Sequence, residues 1–414
     1  MNASITLPDP RHCLKKQLAV LSLVFFLWGC LTAINSMLIP FFYHYFALTY
    51  RESMQINVVF YIAPFIGCLP CSLFMARAGY RTTLLLALML AMLGCGVMVC
   101  ALLIYSFWMS LAGVFILATG VAAMQVVANP YVAKMGPTEN AAGRLSLASA
   151  INSSGTTLAP LLLAMLLMAF PVVPSAHSEP VKWLYLFLVM VCGMIIWLVY
   201  GSRLPNFRQQ SPLQLHQNCL SLLKNPTFIA GIAGIFLYVG AEVSIGTMTL
   251  SYLSAPEMAG FTLQQATSLI SLYWGGALAG RFLYGLVAAR TDNLKYFCLA
   301  TLMASGLVVL AIIFSGPWAG MCLLLTGLMN SLMYPVIFAR TIDGLGDKTS
   351  LASAFLIMAG IGGGGLPYLQ GVVTDFSGIR LSFIVPATAY LLLMSGGLLV
   401  RRIASRRPTV EKQE

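Results

Sequence analysis

The residues of this sequence that could do chemistry are a few polar side chains inside long apolar stretches. Glu242, within YVGAEVSIG, is the one carboxyl group deep inside such a stretch, since the other acidic residues fall in polar segments, in the tails or at the ends of apolar runs. Three amides, Gln125, Asn129 and Asn152, lie at comparable depth. Because removing a polar group from water costs free energy, these positions are candidates for a functional site.

The composition identifies the surroundings of these stretches as a lipid bilayer. Hydrophobic residues make up 59% and charged residues 8% of the 414 residues, whereas soluble domains have roughly 25% charged residues. The net charge of +11 does not indicate nucleic acid, because the Lys and Arg residues lie between the apolar runs and form no basic stripe with aromatic residues. We therefore expect a multi-span membrane protein without a nucleic-acid partner.

The residue types used by metal sites and enzymes are poorly placed in this sequence. The four histidines fall in predicted loops, in the N-terminal tail or at helix ends: His12, His44, His177 and His216. The single CxxC, Cys68–Cys71, lies inside an apolar run and lacks a second pair. Because an acid pair and a nucleophile–base motif are also missing, we expect no enzyme activity, no metal and no cofactor. The N-terminus lacks a cleavage site after a short apolar core, so no signal peptide is expected.

Apolar segments of about 20 residues predict membrane-spanning helices, since a helix of that length crosses about 30 Å of hydrocarbon. Twelve are predicted, and we number them spans one to twelve: 17–44, 54–76, 82–104, 107–134, 143–169, 181–201, 226–252, 264–289, 294–314, 317–339, 350–373 and 380–401. The polar segment 202–225 separates the first six from the last six. We therefore predict an all-α membrane protein with a six-helix bundle at 1–201, a linker at 202–225 and a second six-helix bundle with a short basic tail at 226–414.

The orientation in the membrane follows from the basic residues of the loops. With the N-terminus inside, only Arg51, Lys182 and Arg380 of the 23 Lys and Arg residues fall on the outer side, as the positive-inside rule requires. Three tryptophans fall at outer helix ends, where interfacial anchors are expected: Trp108, Trp183 and Trp318. Both termini and the linker are therefore predicted to be cytoplasmic.

An internal repeat relates the two sets of six spans. The pentapeptide SLASA occurs at Ser146–Ala150 in span five and again at Ser350–Ala354 in span eleven. Each copy follows a proline-bearing helix end and a short polar hairpin, with ANPYVAKMG before the first and MYPVIFAR before the second. The matching order indicates duplication. Two related sets of six spans resemble the architecture of major facilitator transporters, in which the substrate site lies near the membrane midplane between the halves.

Two roles are open for Glu242. Desolvation favours the neutral form of a buried carboxyl group, so Glu242 is suited to taking up and releasing a proton. Alternatively, it is a protonated acid that hydrogen-bonds a neighbouring helix or the substrate. No cation is predicted at the same depth, because Arg281 and Arg340 fall in the inner halves of spans eight and ten and Arg144 opens span five. Since an anionic substrate would need a central positive charge, we expect a neutral substrate.

Amide and indole side chains are suited to binding a neutral sugar. Amides both donate and accept hydrogen bonds, as sugar hydroxyls require, and they are supplied by Gln125, Asn129, Asn152, Asn35 and Asn330. Pairing between helices is the alternative for each of them. Trp28 and Trp274 lie towards the middle of spans one and eight, where an indole either packs in the core or stacks on the C–H face of a sugar. The glycines Gly275–Gly276 and Gly362–Gly365 allow close backbone approach or a bend.

In these residues the sequence resembles the fucose/galactose/glucose:proton symporter family of the major facilitator superfamily, over nearly every span. The similar segments are FFLWG (Phe25–Gly29), INSMLIP (Ile34–Pro40), QVVANPYVAKMGP (Gln125–Pro137), RLSLASAINSSGTTLAP (Arg144–Pro160), YVGAEVSIG (Tyr238–Gly246), SLYWGG (Ser271–Gly276) and SFIVPA (Ser382–Ala387). The second-half segments look most similar to the bacterial glucose/galactose branch, where Gln at the position of Gln125 and Glu at that of Glu242 are usual. The resemblance implies a twelve-helix fold and symport of a sugar with a proton.

Three positions depart from the family pattern. The family motif Asn-Asp-x-Leu-x-Pro, whose acid is implicated in proton coupling, reads Asn35-Ser36-Met37-Leu38-Ile39-Pro40 here. Serine does not titrate near physiological pH, so proton coupling would rely on Glu242 alone or with a titrating substrate. Gln125 stands where the family's L-fucose permease carries a glutamate. The turn Ala76–Arg81 keeps the basic residues of the superfamily's gating motif but lacks its aspartate.

We therefore expect a secondary transporter of the bacterial cytoplasmic membrane that imports a neutral monosaccharide, such as L-fucose, galactose or glucose, by alternating access and proton symport. The expected substrate-binding residues, with Glu242 for proton coupling, line a midplane cavity: Trp28, Asn35, Gln125, Asn129, Asn152 and Trp274. The expected gating residues of the inner loops are Arg77, Arg81, Arg144 and Arg340. The protein is expected to be a monomer in the lipid bilayer, with the sugar and protons as partners. A uniporter, a carrier of another polar solute and a transport-inactive sugar sensor are the alternatives.

Overall fold

Helices occupy all twelve predicted spans. The structure is a computed structural model that describes residues 10–135, 141–169, 179–202, 204–207, 221–287, 292–343, 345 and 348–406. Among these residues, nine helices are long and apolar enough to cross a membrane, the first being Lys16–Met37 and the last Ala354–Ser382. Ile384–Val400 is a shorter apolar helix. The predicted fold class, an all-α membrane protein, is confirmed.

The described residues form two compact units. The first unit lies within Met1–Asn35 and Ile66–Pro212, and the second lies within Ser36–Phe65 and Leu213–Glu414. Spans one and two each cross from one unit to the other, because both unit boundaries, at Asn35 and at Phe65, fall inside these helices.

The helices of the first six spans are Pro10–Met37 continued by Ile39–Tyr45, Gln55–Ala78, Tyr80–Leu103, Phe107–Lys134, Ala141–Ala169 and Glu179–Gly201. Small residues let spans three and four pack closely. A Cβ atom on Gly120 would lie 2.5 Å from the backbone N of Ala91, and one on Gly94 would overlap the backbone of Leu117. Span four begins at Ser106, whose hydroxyl accepts a hydrogen bond from the backbone N–H of Met109 (3.3 Å), as an N-cap residue does.

The helices of the last six spans are Pro226–Ser254, Leu263–Val287, Asn293–Ile313, Pro317–Asn330 with Met333–Ile342, Thr349–Met358 with Gly362–Ser382, and Ile384–Arg406. Side-chain caps fix where two of them begin. The Asn225 side chain accepts bonds from the N–H groups of Thr227 and Phe228 at the start of span seven. Asp292 accepts from the N–H groups of Leu294 and Lys295 at the start of span nine.

Three spans are interrupted rather than continuous. Span one breaks between Met37 and Ile39, span ten breaks between Asn330 and Met333, and span eleven contains the 3-10 turn Ala359–Ile361. Span eleven itself ends at Gly378, whose φ of 82° is accessible to glycine. Breaks inside a membrane release backbone groups that need partners from the protein.

Candidate functional site

Span seven carries Glu242 and is otherwise buried around it. Between Glu242 and the end of the helix at Ser254, every residue from Val243 to Leu253 is buried. The Glu242 side chain is 13% exposed. A carboxyl group in these surroundings needs hydrogen-bond partners, because burial without partners is costly.

Among the described residues, two side chains supply the polar contacts of the Glu242 carboxyl group. The Tyr238 hydroxyl, one turn earlier on span seven, donates a hydrogen bond to Glu242 Oε1 (2.7 Å). The Arg281 guanidinium of span eight lies 3.8 Å from the same oxygen (Nη2 to Oε1). The expectation that no cation lies at the depth of Glu242 was wrong. The backbone of Arg281 lies near one end of span eight, but its long side chain reaches the carboxyl group of Glu242.

A network of tyrosines surrounds this pair. The Tyr273 hydroxyl donates to the backbone carbonyl of Glu242 (2.7 Å) and accepts from the side-chain amide of Asn330 (2.9 Å). The Tyr390 hydroxyl donates to the other amide atom, Asn330 Oδ1 (2.6 Å). Asn330 is 0% exposed. Its amide therefore joins spans eight, ten and twelve. Of the two roles open for this residue, the structure shows pairing between helices and not sugar binding.

The break in span ten lies inside this network. Pro317–Asn330 ends where the helical bonding pattern stops, and the Tyr238 hydroxyl also approaches the Asn330 carbonyl oxygen (3.2 Å). The hydroxyl has a single proton, so it donates either to Glu242 Oε1 or to this carbonyl oxygen, and the shorter distance favours Glu242. Tyr238 thus lies between the break and the Glu242 carboxyl group.

Trp274 lies on the same side of span eight as the Glu242 network. Its ring packs edge-on against Tyr273, with ring centroids 5.0 Å apart. Gly246, one turn beyond Glu242, leaves room for the indole, since a Cβ there would lie 3.1 Å from Trp274 Cζ2. The indole N–H is buried and has no hydrogen-bond partner in the part of the chain that the structure describes. The structure thus brings Trp274 and Glu242 together in the second unit.

In the first unit, Gln125 and Asn129 lie one turn apart on span four. The Asn129 amide donates to the backbone carbonyl of Gln125 (3.1 Å). Pro130 follows inside the helix and has no N–H for the carbonyl of Val126. The Gln125 amide is half-buried and forms no hydrogen bond with any described residue. Gln125 therefore keeps both its donor and its acceptor open.

Asn152 joins span five to span one. Its amide donates to the backbone carbonyl of Phe25 (2.9 Å), and the backbone of Asn152 packs directly on Gly29. Gly155, one turn later, packs in the same way on the carbonyl of Phe26. The Asn152 donor is thus committed to helix pairing, while the structure describes no partner for its carbonyl oxygen.

The remaining two substrate-binding candidates lie on span one. Trp28 is half-buried, with its ring 5.5 Å from that of Phe25 and without a described hydrogen-bond partner for its indole N–H. Asn35, at the end of the first unit, is 4% exposed. Phe25 thus contacts both Trp28 and Asn152, which places these two candidates on adjoining faces of spans one and five.

The turn between spans two and three is held by a residue that sequence reasoning did not single out. Gly79 has a φ of 89°, and the Asn206 side chain occupies the space where a Cβ would be. Asn206 accepts from the backbone N–H of Arg81 (3.0 Å) and donates to the carbonyl of Ala78 (3.1 Å). In this way an amide from the segment after span six bonds to the turn that lacks the superfamily's aspartate. The Arg81 guanidinium also donates to the Tyr200 carbonyl (2.8 Å).

Aromatic side chains complete this end of the first unit. The Tyr131 hydroxyl donates to the Pro205 carbonyl (2.7 Å), and the rings of Tyr80, Tyr131 and Phe207 contact one another edge to face. Of the other gating candidates, Arg77 and Arg340 are exposed, and the Arg144 side chain lies outside the described residues.

Comparison with known proteins gives the family. Residues 20–365 match the Major Facilitator Superfamily. The chain is 34% identical over 384 residues to a glucose/galactose transporter of Brucella abortus, covering 92% of this chain and 93% of that protein. It is 26% identical to the L-fucose-proton symporter of Escherichia coli over 91% of each chain.

A solved structure of the E. coli fucose:proton symporter has the same fold. Its TM-score is 0.69 at 24% identity, with 92% of this chain and 98% of that chain covered. The chain belongs to the Major Facilitator Superfamily and, within it, to the fucose/galactose/glucose:proton symporter family that its motifs resemble.

Proposed function

We propose that this protein is a secondary transporter that imports a neutral monosaccharide by alternating access, coupled to protons. The observation that carries the proposal is the pairing of Glu242 with Arg281 at 3.8 Å. While Glu242 is ionised, the pair presents no net charge to a substrate, so the argument for a neutral solute rests on charge compensation and no longer on the absence of a cation. The similarity to glucose/galactose transporters and to L-fucose-proton symporters supports a hexose or 6-deoxyhexose.

The proposed sugar-binding groups are those with open polar atoms. Gln125 offers an amide and Trp28 and Trp274 offer indole N–H groups that lack partners among the described residues. Asn129 and Asn152 each keep a carbonyl oxygen beyond their one bond to backbone. Asn35 joins the proposed set for a different reason, as the amide of the INSMLIP segment in span one. Amides and indoles bind hydroxyl groups and C–H faces without needing a charge on the substrate.

Glu242 is the proposed proton carrier. The ionised carboxylate is stabilised by Arg281 and by the Tyr238 hydroxyl, and the protonated form removes a charge from a poorly hydrated site. The contacts favour the ionised form and burial favours the protonated form, and a group that gains and loses a proton in each cycle needs both to be accessible. Arg281 would be released whenever Glu242 takes up a proton.

We further propose a monomer in the bacterial inner membrane with both termini and the 202–225 linker in the cytoplasm. The distribution of Lys and Arg supports this orientation. The proposed moving bodies are residues 1–201 and 226–414, each with six spans, and Arg77, Arg81, Arg144 and Arg340 belong to their cytoplasmic ends.

The experiment is uptake by the purified protein in liposomes, with labelled neutral sugars and with or without an inward proton gradient. We expect accumulation of a hexose above equilibrium with the gradient. Glu242→Gln should abolish accumulation while sugar exchange across the membrane persists, because it preserves size and hydrogen bonding but cannot ionise.

Asp292→Asn, a helix-cap change at span nine, is the control and should accumulate sugar normally.

A specific observation favours uniport as the second candidate, namely Ser36 where the family carries an acid. Equilibration that ignores the gradient in the unmodified protein would establish the uniporter and remove the coupling role of Glu242.

A further inference from the structure

The segment between spans one and two is bound to the end of span eleven by a single carboxylate. Asp375 accepts two hydrogen bonds, from the backbone N–H of Tyr50 to Oδ1 and from that of Arg51 to Oδ2, both at 2.9 Å. Tyr50 and Arg51 are the first residues of the short helix Tyr50–Ser53. The first N–H groups of a helix lack partners inside it, and a carboxylate is a favourable acceptor there.

This helix does not need Asp375 for its own cap. Thr49 accepts from the Glu52 N–H (3.2 Å), and Glu52 accepts from the Thr49 N–H (2.9 Å), which completes a reciprocal capping box. The box leaves the N–H groups of Tyr50 and Arg51 available, and Asp375 binds both. Its contact therefore joins two segments that are far apart in the sequence, where a local cap would join neighbours.

Glycines on span eleven bring its backbone against the same segment. A Cβ on Gly371 would lie 2.8 Å from Met54 Cγ and 3.0 Å from the Tyr50 carbonyl oxygen. A Cβ on Gly364, seven residues earlier and thus on the same helix face, would lie 2.9 Å from Val58 Cα. Any side chain at either glycine would separate the two backbones.

A buried hydrogen bond binds the same segment to span seven. The Asn57 amide donates to the Thr247 hydroxyl (3.3 Å), and both residues are 0% exposed. The contacts with Asp375, Gly371, Gly364 and Thr247 explain why Ser36–Phe65 forms one compact unit with the later spans, although the rest of spans one and two belongs to the other unit.

We propose that Asp375 is the latch of the outer gate, the positioning residue that holds the Tyr50–Ser53 helix against span eleven while the outer side is closed. The inference rests on the proposed alternating access and orientation. If residues 1–201 move as one body, the segment 50–61 leaves span eleven in every cycle. The latch suits that movement, because its two bonds to an exposed carboxylate exchange readily with water. The glycine contacts and the Asn57 bond then define the single closed position.

The experiment is hydrogen–deuterium exchange of the full-length protein in detergent, read by mass spectrometry on the peptide that contains Tyr50 to Phe60. Asp375→Asn replaces one acceptor oxygen with an N–H₂ group that faces a backbone N–H. We expect several-fold faster exchange in this peptide, together with several-fold slower net sugar uptake in liposomes and retained sugar binding. Gly371→Leu, which separates the backbones, should produce the same pattern.

Asp292→Asn is the matched control, because Asp292 also accepts two backbone N–H bonds, here at the start of its own helix. It should leave the exchange of the Tyr50–Phe60 peptide unchanged. Unchanged exchange in Asp375→Asn, or equal acceleration in Asp292→Asn, would overturn the latch. Deuterium exchange does not depend on the transported solute. A failure to transport any sugar would therefore contradict the proposed function, while the exchange measurement would still test the contact of Asp375.

Discussion

The polar residues around the candidate site are bonded in different ways in the two units. In the first unit they bond singly to backbone, as Asn129 does to the Gln125 carbonyl and Asn152 to the Phe25 carbonyl. In the second unit they bond to one another, with Glu242, Tyr238, Asn330, Tyr273 and Tyr390 sharing hydroxyl and amide groups. The first arrangement leaves polar atoms of these amides open. The second uses both amide atoms of Asn330 and the hydroxyls of three tyrosines, while the Trp274 indole N–H beside it lacks a described partner.

The difference indicates a division of labour between recognition and charge. Open amide and indole groups can be satisfied by the hydroxyls of an incoming ligand. A closed network instead fixes the position of a carboxyl group and its counter-ion, because every member is held by another. On the proposed function, the first unit contributes most of the sugar contacts and the second unit contributes the proton site. Three experiments test this comparison.

Arg281→Gln should have the largest effect. It removes the charge that compensates ionised Glu242, so release of the proton in each cycle becomes unfavourable. Gradient-driven accumulation in liposomes should fall by about tenfold or more, equivalent to at least about 1.4 kcal/mol. Arg281→Lys retains the charge without the planar guanidinium and should keep part of the accumulation. Full accumulation in Arg281→Gln would mean that the pair has no part in coupling.

Asparagine substitutions in the two units should lower the thermal stability of the protein by different amounts. Asn330→Ala leaves the buried Tyr390 hydroxyl without its acceptor, and an orphaned buried group costs about 1–3 kcal/mol. Asn129→Ala removes one bond to a carbonyl that the helix already uses, at a cost of about 1 kcal/mol or less. Thermal unfolding in detergent should therefore show a clearly lower Tm for Asn330→Ala than for Asn129→Ala. Equal shifts would remove the distinction between a shared network and single bonds.

Gln125→Leu should have the smallest effect on the protein and a selective effect on the sugar. The amide has no described partner, so Tm should hardly change. Loss of one hydrogen bond to the sugar, worth about 1 kcal/mol, should raise KM about fivefold with little change in the maximal rate. Thr119→Val, on the same span, removes a hydroxyl whose one partner among the described residues is the Phe115 carbonyl, and it should leave KM unaltered. An unchanged KM in Gln125→Leu would place sugar recognition elsewhere.

Much of the fold was predictable because hydrophobic length and loop charge are local properties. All twelve predicted spans contain helices, and the repeat around SLASA and the motif around Glu242 correctly indicated the family. Two interruptions also had a local signal. Pro40 lies at the start of Ile39–Tyr45 and Pro335 lies in the first turn of Met333–Ile342, and proline favours such positions.

The side-chain partnerships were not predictable, since they depend on residues distant in sequence. Arg281 was assigned by the position of its backbone, and the length of its side chain brought it to Glu242. Asn330 resembled a sugar-reading amide, but two tyrosines from other spans use both of its amide atoms. Asp375 lies near the end of a helix and Asn206 lies in a connecting segment. At such places no periodic pattern distinguishes a structural contact from an exposed polar residue.

The interruption of span ten has a consequence for how the chain is made. Its two helices contain 14 and 10 residues, about 21 Å and 15 Å at roughly 1.5 Å per residue, and neither reaches across about 30 Å of hydrocarbon. Only the whole segment Pro317–Ile342 is long enough to be inserted during synthesis. The Tyr238 hydroxyl, which lies 3.2 Å from the Asn330 carbonyl oxygen at the break, belongs to span seven, and span seven is synthesised before span ten.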